Sequence, residues 1–102
     1  MLQKIKIDLN NPYFQQELFS LEKHELSSLI GTLKKISRLT WEELYKDHGL
    51  KWEKISSKKL STGEQIYSFR FSKKYRITAT RQDNFLKLLM LHTDHDSAYQ
   101  SR

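Results

Sequence analysis

Apolar and polar residues alternate at the start of the chain. Leu2, Lys4 and Lys6 stand against Gln3, Ile5 and Ile7, an imperfect period of two that predicts a strand over residues 2–8. Asn11-Pro12 then reads as a helix start, because Asn caps free N–H groups and Pro has none to lose in the first turn. Phe14, Leu18 and Leu21 follow at helical spacing. A second helix is predicted over residues 22–37, where Leu26, Leu29, Ile30, Leu33 and Ile36 form one apolar stripe destined for the core. Gly31 weakens that helix slightly. Thr40-Trp41-Glu42-Glu43 reads as a capping box opening a short third helix, with Gly49 as its stop.

From residue 50 the period changes. Residues 50–65 are polar and basic; their first part is expected to pair as a strand, and Ser61-Thr62-Gly63 to turn. Residues 65–71 and 75–80 alternate. Residues 85–91 are apolar apart from Lys87, as in a central strand, and Gln82-Asp83-Asn84 supplies the turn before them. Residues 94–102 read as irregular. The order predicts an α+β fold: an N-terminal strand and helices packed on one face of a small antiparallel sheet. At 102 residues, without repeats or linkers, one domain over residues 1–102 is expected.

Parity fixes the hairpin between residues 65 and 80. Tyr67, Phe69, Phe71, Tyr75, Ile77 and Ala79 are all odd-numbered and should share the core face. Odd residues face odd residues across a hairpin only if its loop centres on Lys73, so the loop holds three or five residues near Ser72-Lys73-Lys74. The same register sets Arg70 opposite Arg76 on the other face, with Ile66, Ser68, Thr78 and Thr80. Like charges placed directly opposite destabilise paired strands. Water can screen such a pair, a carboxylate such as Glu53 or Glu64 can bridge it, or an anionic ligand can use it. The guanidinium fork suits phosphate.

Charge sharpens this picture. The net charge is +6; residues 1–50 balance seven basic against seven acidic groups, so the whole excess lies in residues 51–102. Such asymmetry points to a polyanion, nucleic acid first, against the alternative of a merely solubilising surface. There is no cysteine, which excludes a disulfide framework or thiolate metal site and fits a reducing compartment. The N-terminus does not read as a signal peptide, and no segment is apolar enough to span a bilayer, so a cytoplasmic protein without membrane contact is expected.

LHTDHDSAY, residues 91–99, gathers His92, Asp94, His95, Asp96 and Tyr99 after the last strand. Histidine gives and takes protons near neutral pH. His-x-x-His alone is a weak metal signature, so neither metal nor cofactor is expected. By the parity of Leu86, Leu88 and Met90, His92 shares their face, where it either packs or acts; His95 is freer to reach a ligand. No Gly-rich phosphate loop and no Gly-x-Ser-x-Gly motif is present.

GLKWEKI (49–55), IYSFRFSKKYRITATR (66–81) and LHTDHDSAY, in this order of elements, resemble the RelE/ParE-like toxin superfamily of toxin–antitoxin modules. The resemblance covers most of the chain. It implies a metal-free endoribonuclease of the microbial RNase fold that cleaves messenger RNA, commonly on the ribosome, and is neutralised by an acidic antitoxin. Among the residues, it implies that Glu53 is the acidic base, Arg70 and Arg76 stabilise the phosphate, His95 transfers a proton and Tyr99 matches a family tyrosine. Lys51, Lys54, Lys58, Lys59, Lys73, Lys74 and Arg81 are then the candidate RNA contacts. The superfamily also holds gyrase-poisoning toxins, so a noncatalytic toxin, an RNA-binding module and an inactive relative are the alternatives.

Overall fold

A computed structural model describes residues 3–92, with the side chains of residues 56–58 left aside. The chain runs β1 (Lys6–Asp8), α1 (Pro12–Phe19), α2 (Lys23–Ile36), α3 (Trp41–Lys46), β2 (Glu53–Lys59), β3 (Gln65–Arg70), β4 (Arg76–Gln82) and β5 (Phe85–His92). The strands form one sheet in the order β1-β5-β4-β3-β2. The fold is α+β, as the pattern predicts, but the sheet is mixed rather than antiparallel: β1 pairs parallel to β5. A parallel neighbour requires a long connection, and here it comprises the three helices followed by β2, β3 and β4. No helix among the described residues is long and apolar enough to cross a membrane.

Local chemistry sets the helix ends. The Asn11 side chain accepts from the backbone N–H groups of Tyr13 at 2.9 Å and Phe14 at 3.4 Å. Its amide donates to the Leu89 carbonyl at 3.3 Å, so one residue both starts α1 and ties it to β5. The capping box of α3 is complete: Glu43 N–H donates to Thr40 Oγ1 at 3.2 Å, and Thr40 N–H donates to Glu43 Oε1 at 2.8 Å. That backbone bond holds the Glu43 carboxyl below its ordinary range. The same helix ends at Lys46, earlier than the Gly49 stop predicted from sequence. Asp47 explains the difference, since its carboxylate takes the Leu50 N–H at 3.0 Å and the Lys35 ammonium at 2.9 Å.

One core lies between the helices and one face of the sheet. Phe14 and Leu18 of α1, and Leu29, Leu33 and Ile36 of α2, meet Phe69, Ile77, Ala79, Leu86 and Leu88. Ile30, assigned to the core stripe by spacing, is exposed instead. It stands next to the line through Leu29, Leu33 and Ile36, which alone faces the sheet.

A second departure matters more. Ile77 pairs with Leu91 and Thr78 with Met90, but Ala79 pairs with Leu88, leaving Leu89 as one extra residue in β5. A β-bulge of this kind reverses parity along its strand. Leu86 and Leu88 therefore point into the core, whereas Met90 and His92 fall on the opposite face with Thr78 and Arg76. The sequence expectation that His92 shares a face with Leu86 and Leu88 is corrected by the bulge. The Asn11 amide occupies the carbonyl of the bulged Leu89.

Asp47 makes the fold pH-sensitive. Its carboxyl is held below the ordinary value of 3.8, first by the hydrogen bond from Lys35 and then by the Leu50 N–H, against the opposing effect of burial. A depressed carboxylate stabilises the fold above its unfolded pKa, and that contribution disappears as pH falls through the folded value. The stability advantage of wild type over Asp47→Asn, measured by urea unfolding, is thus expected to be full above about pH 5 and to shrink as the solution is acidified.

Candidate nucleic-acid interface

The face of the sheet turned away from the helices is set by the β3–β4 hairpin. Tyr67 pairs with Ala79, Ser68 with Thr78, Phe69 with Ile77 and Arg70 with Arg76. Phe71 N–H donates to the Tyr75 carbonyl at 3.3 Å, which narrows the loop to Ser72-Lys73-Lys74. Ser72 Oγ accepts from the N–H groups of Lys74 and Tyr75, both at 3.2 Å, and fixes that tip. The loop centres on Lys73, as parity requires.

Two cross-strand lines result on this face. Glu53, Ser68, Thr78 and Met90 stand side by side on β2 to β5. Two residues along, about 7 Å away, stand Arg70, Arg76 and His92. Arg70 N–H donates to the Leu50 carbonyl at 2.7 Å, which brings Lys51 alongside this second line. His92 Nε2 lies 3.3 Å from Thr78 Oγ1 and joins the two lines.

The two arginines live in different surroundings. Arg70 is half-buried, while Arg76 is only 2% exposed. The Nη2 of Arg76 donates to Ser68 Oγ at 2.8 Å and to the Lys51 carbonyl at 3.1 Å. Lys51 has φ +48°, a left-handed conformation uncommon for a residue with a side chain, and the bond from Arg76 holds its carbonyl in place. Arg76 thus acts from beneath, fastening the turn that leads into β2, while Arg70 and Lys51 meet solvent. Together they offer a cationic fork and an ammonium beside an imidazole and a carboxylate, while the hydroxyls of Ser68 and Thr78 are buried and bonded within the protein. Such a set can hold a phosphate diester and move a proton next to it.

The remaining sequence candidates are dispersed. Lys54 is exposed opposite Tyr67, on the helix-bearing face. Lys59 is exposed at the far end of β2, paired with Gln65. Lys73 and Lys74 are exposed at the hairpin tip, beside a hollow of about 240 Å³ shared with His24, Glu25 and Tyr75. There the Tyr75 hydroxyl is pushed above its ordinary value of 10.0, first by its hydrogen bond to Glu25. Arg81 belongs to the helix-bearing side: its guanidinium lies 4.3 Å from the Trp41 ring centroid and donates to the Tyr45 hydroxyl at 2.6 Å. His95 and Tyr99, and the Lys58 side chain, lie outside the described residues. Among the described residues, no group of three His, Asp or Glu side chains is placed to hold a metal ion.

Parity placed Thr78 correctly with Arg70 and Arg76, but set His92 on the wrong face. The signal that would have placed His92 is the bulge at Leu89, which the unbroken apolar run from Leu88 to Leu91 conceals. Comparisons with protein-family models, with curated proteins and with solved structures return no match.

Ser68 is fully buried and accepts from a buried guanidinium. Ser68→Ala should therefore cost about 1.5–3 kcal/mol of unfolding free energy, the range for hydrogen bonds to charged groups. Urea denaturation measures it, and an exposed serine such as Ser27 changed to Ala serves as the near-neutral reference.

Proposed function

We propose that this chain is a toxin of the RelE/ParE-like superfamily: a cytoplasmic, metal-independent endoribonuclease that cuts messenger RNA, with the ribosome presenting the message. The observation that carries the reading is Arg70 set directly opposite Arg76, with His92 next in the same line and Glu53 in the neighbouring one. Of the pair only Arg70 meets solvent, so a phosphodiester would rest on Arg70, with the buried Arg76 supporting it from below through Ser68 and the Lys51 carbonyl.

RNA brings its own nucleophile. Glu53 takes the proton of the 2′-hydroxyl, and the oxygen attacks phosphorus. The bond to the 5′-oxygen breaks, leaving a 2′,3′-cyclic phosphate, and an imidazole protonates the departing oxygen. His92 is the imidazole already in the line; His95, three residues on, is the one implied by the resemblance, with Tyr99 beyond it. Arg70 and Lys51 meet the charge that grows on phosphorus, and Arg76 holds their platform. General acid–base transfer supplies about 10²–10⁴-fold, and presentation by the ribosome supplies much of the positioning. The basic face also suits an acidic antitoxin segment as neutralising partner.

One observation favours a second reading. Arg76 donates to Ser68 and to the Lys51 carbonyl, so its guanidinium already serves the protein. A face with that arginine committed still binds RNA without cutting it, as a noncatalytic toxin or RNA-binding module would.

Arg70→Gln separates the site from the fold better than truncation of the buried Arg76. In a translating extract with RNA 5′ ends mapped, it should lower cleavage by roughly 10²-fold or more, the usual loss for one transition-state donor, with the melting temperature retained. Wild-type cleavage by the folded variant would contradict the proposal. Uncut RNA with retained binding in the wild type would favour the second reading.

A further inference from the structure

Beside the arginine line, the same face holds a cavity of about 410 Å³. Leu60, Ile66, Leu89 and Met90 form its walls, and Thr78 and His92 contribute its polar groups. Tyr13, the second residue of α1, stands at its rim and is 74% exposed; Met90 is 50% exposed. The volume lies at the small end of the range in which proteins hold small organic molecules, roughly 300–1,000 Å³.

The cavity exists because of the bulge. The extra residue turns Met90 and His92 onto this face and makes Leu89 one of the walls. Asn11 grips the Leu89 carbonyl and starts α1 at that point, which brings Tyr13 to the rim. Its neighbours decide the chemistry of the occupant. His92 belongs both to the cavity and to the Arg70–Arg76 line, and Thr78 lies 3.3 Å from its ring. The occupant therefore carries an anion at one end and a flat, mostly apolar body with hydrogen-bonding edges at the other.

We infer that this cavity is a nucleobase subsite: it takes one base of the RNA whose phosphate lies on Arg70, with Tyr13 stacking at its rim. The inference rests on the RNA reading above and adds to it a place where sequence preference is set. An aromatic rim alone accepts any base; Thr78 and His92 make the pocket selective.

The test uses the full chain with labelled Ile, Leu and Met methyl groups, followed by NMR. The probes are 2′-deoxy dinucleoside monophosphates of each base, which have no 2′-hydroxyl to attack, and inorganic phosphate. The dinucleotides should move the methyl signals of Ile66, Leu89 and Met90 saturably, one base more tightly than the rest, and inorganic phosphate should leave them in place. Tyr13→Ala, at an exposed position, should weaken dinucleotide binding by at least about 5-fold, the lower end for loss of one stacking ring, and Met90→Ala should weaken it too. Unmoved methyl signals, or full affinity in both variants, would overturn the subsite. A parallel RNA-cleavage assay keeps the two ideas apart. Cleavage with unmoved methyl signals removes the subsite and leaves the nuclease; saturable methyl shifts without cleavage keep the subsite and remove the nuclease.

Discussion

The hydrophobic face of the β3–β4 hairpin can be buried in one register only. Phe69, Ile77 and Ala79 must all reach the helices, and a slip of one residue between the strands would turn one strand's set away from them onto the opposite face. Burying an aromatic or aliphatic side chain is worth about 1.5–3 kcal/mol, so several such residues together overwhelm the repulsion between two like charges, about 0.2–1 kcal/mol. The core thus imposes the meeting of Arg70 and Arg76 on the opposite face. Ser68 and the Lys51 carbonyl moderate it by receiving the buried guanidinium. A cationic site is in this sense a by-product of how the core is satisfied.

The bulge at Leu89 is the second constraint, and it works with the first. Without it, β5 would keep one parity throughout, and His92 would follow Leu86 and Leu88 into the core. With it, an imidazole, a hydroxyl and an apolar cavity gather beside the arginines. The Asn11 side chain links this to helix formation, since the same amide group caps α1 and occupies the bulge carbonyl. Glu17 of α1 accepts the Leu91 N–H at 3.0 Å and continues that support along β5 where β1 has ended. The helix is in effect a clamp on the strand that carries the site.

Those features were unequally legible in the sequence. Periodicity and capping chemistry are local, so α1 with its Asn11-Pro12 start, α3 with its capping box, and the hairpin centred on Lys73 could all be read from neighbouring residues. Parity also placed Arg70 opposite Arg76, because strand pairing across a short loop is a matter of counting. The parallel seat of β1, the exposure of Ile30 and the end of α3 at Lys46 depend on partners far along the chain, such as Lys35 for Asp47. The bulge was invisible because every residue from Leu88 to Leu91 is apolar, so a shift of one leaves no mark on the pattern. Burial of Arg76 was invisible for a similar reason: it follows from Lys51 and Ser68, eight residues or more away.

The proposed function stands on Arg70 receiving an RNA phosphate. Its most direct measurement is the salt dependence of binding of a 2′-O-methyl RNA oligomer, which cannot be cleaved, to wild type and to Arg70→Gln. If the claim holds, the variant binds more weakly and the slope of log affinity against log salt falls by about 0.7, the share of one phosphate contact on a single strand. Equal affinity and equal slope in the two proteins would contradict it.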